Sequence, residues 1–241
     1  VWDFMLVAQG VIAAATSGDL QQSRDFLGRM SASEPGHRRL DGVQYHFFAF
    51  QDAVHRGVLA AMREHAYAGL ASAIDSGVVW GEVYTRPALA HALFVAGDEA
   101  GARRELERAT RIASEIGCSN AFYYVHELEA QFAEARGDRD AEVAAIAQMF
   151  AVMRAQGFSN SAWWRESSMA RACRIALEHG IEPGFVRGLV RLRGLRPDGP
   201  AARLEHWPWP VRLRAFGDFG IELDGEPLRF AGKVQKRPLE L

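Results

Sequence analysis

Glycine recurs in this chain at a nearly fixed interval, and that interval constrains the fold more than any other feature. Gly18, Gly57, Gly97, Gly137 and Gly180 are spaced by 39, 40, 40 and 43 residues. A second series, Gly36, Gly77, Gly117 and Gly157, is spaced by 41, 40 and 40 and falls roughly midway between members of the first. A regular period of this size is the signature of a repeat architecture. Three glycines of the first series are followed by Asp, in "SGDL", "AGDE" and "RGDR". Glycine supplies the left-handed residue that ends one helix, and Asp caps the next.

The stretches between glycines have a helical period. From Ala102 the apolar positions Leu106, Ala109, Ala113 and Ile116 follow at steps of three and four, and Arg103, Arg104, Glu105, Glu107, Arg108 and Arg111 form a solvated face. The preceding helix carries Leu89, Leu93 and Ala96, with Pro87 expected in its first turn. Each unit of about 40 residues is therefore read as two antiparallel helices joined by a Gly-Asp turn. One such pair cannot bury its apolar face alone and needs neighbours.

"PALAHALFVAGDEAGARRELERAT" resembles a tetratricopeptide repeat. Leu89, Ala90 and Leu93 stand at its large-small-large positions, Gly97-Asp98 at its turn, and Ala102, Leu106 and Ala109 on its second helix. The resemblance implies an all-α fold, a right-handed superhelix of antiparallel helix pairs whose first helices line a concave surface. The long period is similar to that of the sensor regions of maltose-activator-like (MalT-like) bacterial transcription regulators. Generic helical repeats of the HEAT kind are the alternative.

Composition permits this and excludes little else. Of 241 residues 49% are hydrophobic and 24% charged, with a net charge of -2, which gives no bulk case for nucleic acid or an anionic membrane. No apolar run reaches the length of a membrane span. Cys118 and Cys173 form no C-x-x-C and fit buried thiols in a reducing cytoplasm. The opening residue Val1 lies inside an apolar pattern, so the chain reads as a stretch of a longer protein.

No catalytic signature is met. "GEPLRFAGKV" lacks the spacing and the Ser or Thr of a P-loop, "HELEA" lacks a second His, and no His/Cys cluster has metal-ligand spacing. The eight histidines read as surface or satisfied packing residues. The chain is accordingly read as no enzyme and as holding no metal or cofactor. Aromatics gather near the start of each first helix: Trp2 and Phe4; Tyr45, Phe47 and Phe48; Trp80 and Tyr84; Phe122, Tyr123 and Tyr124; Trp163 and Trp164. Rings with polar tips and charged neighbours are the candidates for a ligand or partner groove: Tyr45, Tyr84, Arg86, Tyr124, Glu127, Trp164 and Arg165.

The grammar changes after "RGLVRLRGLR". "PDGPAARLEHWPWP" cannot hold a continuous helix. "VRLRAFG", "FGIELDG" and "EPLRF" then alternate as strands, with Asp224-Gly225 as a hairpin turn. Phe216-Gly217, Asp224 to Pro227 and Lys233 to Leu241 resemble the opening of an OmpR-type winged-helix domain. The expected organisation is helical repeats over 1–195 (about five helix pairs), a linker over 196–210, and the start of a winged helix over 211–241. The resemblances imply a cytoplasmic sensor region that binds an inducer or a regulatory protein, with self-association, and that controls an adjacent DNA-binding domain. DNA would be bound only by the remainder of that domain, and ATP only by an upstream module. A tetratricopeptide scaffold docking partner peptides is the second reading.

Overall fold

The computed structural model describes residues 2–32, 39–197, 207–215 and 220–228. Its helices are α1 (Trp2–Ser17), α2 (Leu20–Ala32), α3 (Arg39–Arg56), α4 (Leu59–Ser76), α5 (Val79–Val95), α6 (Glu99–Ile116), α7 (Ser119–Arg136), α8 (Arg139–Gln156), α9 (Glu166–Glu178) and α10 (Pro183–Arg193). Three strands follow, β1 (Val211–Arg214), β2 (Gly220–Leu223) and β3 (Glu226–Pro227). The all-α repeat expected from the sequence is what forms, followed along the chain by a small sheet. The chain divides into two compact units, Val1–Met169 and Ala170–Leu241, so the division passes through α9.

The periodic glycines make the repeat. Gly18, Gly57, Gly77, Gly97, Gly117, Gly137, Gly157 and Gly180 all have positive φ, a conformation that costs other L-residues free energy. Gly36 lies outside the described residues. At Gly137, with φ 71, the amides of Gly137 and Asp138 donate to Glu134 O and Ala133 O at 2.9 Å each, which closes the end of α7. The next residue opens α8: the Asp138 carboxylate accepts from the Ala141 amide at 3.1 Å. Asp98 does the same for Gly101 at 2.8 Å and Asp19 for Gln22 at 2.9 Å. One glycine and one aspartate thus finish one helix and start another.

In the first unit α1 packs on α2, α3 on α4, α5 on α6 and α7 on α8, and each pair leans on the next. The first helices also touch in series, α1 on α3, α3 on α5 and α5 on α7. Close crossings use small residues. A Cβ on Gly81 would meet the Ala73 methyl at 3.2 Å, and one on Gly69 would meet His46 Cβ at the same distance.

Several sequence expectations are corrected. Pro87 is an interior residue of α5, not part of a first turn, because α5 begins at Val79, two residues after the turn glycine Gly77. Glu105 is buried rather than solvated, because Arg86 and Arg108 both bind it, at 2.6 and 2.8 Å. Ile116, one residue before Gly117, is exposed where the apolar stripe had placed it inside, since the chain turns away there.

In the second unit the strands form one antiparallel sheet in the order β1-β2-β3. Asp224 and Gly225 both take positive φ, 50 and 87, as a two-residue turn between twisted strands requires. Val211 pairs with Leu223 and Leu213 with Ile221. Arg212 anchors the sheet by donating to Trp207 O at 2.9 Å, and the Trp207 ring is buried. Regular helix in this unit ends at Arg193, capped by Gly194 at φ 59. Phe216-Gly217 and Lys233–Leu241, two of the three pieces that carry the winged-helix resemblance, lie outside the described residues.

Candidate binding groove

The period of 40 residues brings chemically similar side chains to equivalent places on α3, α5 and α7. Gln44, Tyr84 and Tyr124 are one period apart, and so are Gln51, His91 and Gln131. Around them runs a continuous aromatic network. Tyr84 packs edge-on against Phe47 at 6.2 Å and Tyr124 at 5.6 Å between centroids. Trp80 extends it at one end, 5.9 Å from Tyr84, and Tyr123 at another, 5.2 Å from Tyr124.

The centre of this network is a residue on no helix at all. Trp163 lies in the irregular segment 158–165 between α8 and α9. Its indole contacts Phe47 at 5.9 Å and Phe50 at 5.7 Å on α3, His91 at 6.4 Å on α5, and Tyr124 at 5.5 Å on α7. Trp163 is 3% exposed, so it fills the face that these helices share. One polar contact holds the segment on α7: Ser161 Oγ donates to the Tyr123 hydroxyl at 3.2 Å. Ala162 also closes a small cleft against α1, α2 and α3, lined by Val11, Gln51 and His55.

Several polar groups are buried under this cover, among them the side chains of His91, Glu127 and Gln51. Burial pushes the Glu127 carboxyl up to about 7, opposed by the nearby Arg165 guanidinium and the Tyr123 hydroxyl. Burial, helped by Arg165, pushes the His91 imidazole down to about 3. Burial and the neighbouring Cys118 hold the Tyr84 phenol at about 12, and burial raises Tyr123 and Tyr124 as well. Near neutral pH the face is therefore aromatic, with a neutral imidazole, neutral phenols, and one carboxyl near the midpoint of its titration.

The sequence-predicted residues divide in two. Tyr84, Tyr124, Glu127 and Arg165 come together here. Tyr45 instead packs on His46 and His65, at 5.1 and 6.0 Å, and the two imidazoles share a hydrogen bond of 3.2 Å. Arg86 is consumed between α5 and α6, bonded to Glu82 and Glu105. Trp164 is buried, but the indole seated among α3, α5 and α7 is that of its neighbour. Both tryptophans precede α9 rather than starting it. His91, Phe50, Gln51 and Ser161 escaped the sequence reading. His91 is a buried histidine, not a surface one; its alignment with Gln51 and Gln131 at the repeat period is the signal that marks it.

Among the described residues no group of three or more His, Cys, Asp or Glu is placed to hold a metal ion, and no helix is long and apolar enough to cross a membrane. Burial raises the Cys173 thiol to about 12, so it stays protonated and unreactive. No family model matches the sequence, and no curated protein or solved structure matches it significantly.

Proposed function

We propose that the repeat unit is a ligand- or partner-binding region whose recognition surface is the face shared by α3, α5 and α7. The observation that carries this reading is the joint burial of an aromatic network and of the polar side chains His91, Glu127 and Gln51. A mostly apolar face that buries a few convergent polar groups, here His91, Glu127 and Gln51, has the make-up of a recognition site. In the fuller reading the region senses an inducer or a regulatory protein for a bacterial transcription regulator. The sheet β1-β2-β3, with its Asp224-Gly225 turn, supports that reading as the opening of an OmpR-type winged helix. Binding would then act by shifting the population of repeat arrangements toward one that the effector domain follows.

A scaffold that docks peptides without a transcriptional role is the second reading, and it is favoured by the peptide segment already seated on this face. A thermal-shift screen separates the two. A ligand present at 100 times its dissociation constant stabilises the native state by about 2.7 kcal/mol. Small molecules that raise the melting temperature support the sensor, and stabilisation by peptides alone supports the scaffold. No shift with either class, or a shift unaltered by Tyr124→Ala, removes the assignment of this face.

A further inference from the structure

The segment 158–165 is held as a bound peptide is held, and it belongs to the chain that binds it. It is irregular between two helices. One tryptophan is inserted among Phe47, Phe50, His91 and Tyr124. The phenol of Tyr123 takes its Ser161 hydroxyl. Arg165, two residues after the anchor, supplies the positive charge that acts on Glu127, His91 and His55. An aromatic anchor filling a preformed site, with flanking polar and charge contacts, is how short peptides are recognised.

We propose that the face of α3, α5 and α7 is a peptide groove occupied in cis by residues 158–165, and that a partner segment of the same chemistry exchanges with it. That chemistry is a small or hydroxyl residue, a tryptophan anchor and a basic residue shortly after it. The inference rests on the assignment of this face as the binding surface, and it adds the class of the partner and a means of regulation. In the closed state the groove is its own competitor, so partner affinity is reduced by the fraction of molecules in which the segment has left. The segment leads directly into α9, within which the two units of the chain divide at Met169 and Ala170.

The test uses a fluorescent peptide of sequence SNSAWWRE, residues 159–166, added to the wild-type chain and to Trp163→Ala. Anisotropy should show at least tenfold tighter binding to the variant, whose anchor site is vacated. A peptide with Ala in place of the first tryptophan should not bind. Equal affinity for both proteins, or binding that ignores the missing tryptophan, overturns the proposal. Hydrogen exchange on the wild type decides the matter if Trp163→Ala does not fold. The amides of Ala162 and Trp164 should exchange at least about 100-fold faster than those of the α5 and α7 interiors. Exchange of all these amides at one common rate would make the segment a fixed part of the core and overturn the proposal. A thermal-shift screen in which peptides stabilise the chain and small molecules do not, with fast exchange at Ala162 and Trp164, would count against the sensor reading alone.

Discussion

The indole of Trp163 lies over the imidazole of His91 with 6.4 Å between centroids and 28° between planes. One of the two rings belongs to a repeat helix and the other to a connecting segment. Their contact is therefore one of the places where the irregular part of the first unit becomes necessary to the regular part.

Replacing Trp163 with alanine should cost about 3–5 kcal/mol, the usual loss for a buried tryptophan, and Trp163→Phe should cost much less because it retains a ring for Phe47 and Tyr124. Urea denaturation of the three proteins measures the difference. A loss below about 1 kcal/mol would show that the ring is not an anchor.

The pH dependence has two limbs. The folded-state pKa of Glu127 is raised, from 4.5 to about 7, so its contribution to stability is whole below pH 4.5 and is lost as pH rises through 7. The shift corresponds to a change on the order of 3 kcal/mol. The folded-state pKa of His91 is depressed from 6.5 to about 3, so its contribution is present above 6.5 and is lost as pH falls toward 3. Glu127→Gln should remove the fall in stability between pH 4.5 and 7, and His91→Gln, which installs the residue type found one repeat away on either side, should remove the loss between pH 6.5 and 3. Melting temperatures from pH 3 to pH 8.5 check both, and unchanged slopes would refute the assignment.

A turn glycine and an uncrowded helix glycine should respond oppositely to alanine. Gly137 sits at φ 71, so Gly137→Ala should destabilise by about 1 kcal/mol. Gly28 lies inside α2, and no atom stands within 4 Å of the Cβ that alanine would add. Gly28→Ala should therefore stabilise by about 0.5–1 kcal/mol. Thermal denaturation of both variants reads the opposite signs.

Arg86 neutralises two carboxylates, Glu82 on its own helix and Glu105 on the next. Arg86→Met should destabilise by about 2–3 kcal/mol, since it leaves Glu105 buried with only Arg108. Adding Glu105→Gln should recover most of that loss, because the stranded charge is then gone. A double variant no better than the single one would place the cost in packing instead.

The turns were legible because a positive φ is a backbone demand that only glycine meets freely, and a repeated demand leaves a repeated letter. Tyr84 and Tyr124 were legible for the same reason, being equivalent positions of successive repeats. Trp163 was not, because nothing in the period announces that an irregular segment folds back across α3, α5 and α7. Glu105 was misread because its neighbours in sequence are charged and exposed, while the cation that permits its burial, Arg86, comes from the helix before. Pro87 was misread because proline is usually excluded from helix interiors, and the packing of α5 overrides that preference here.

An array of helix pairs in which each touches only its neighbours unfolds piecemeal, its terminal members fraying while the middle persists. The ring of Trp163 interrupts that behaviour by meeting Phe47 almost three repeat periods earlier in the chain. A contact of such long sequence separation is slow to form, since the intervening chain must be ordered first. Once made, it ties the second helix pair to the end of the fourth, so the intervening pairs cannot melt without breaking it. The ring thereby sets the size of the cooperative unit, and a molecule that displaced it would return the first unit to an open array with ends free to fray.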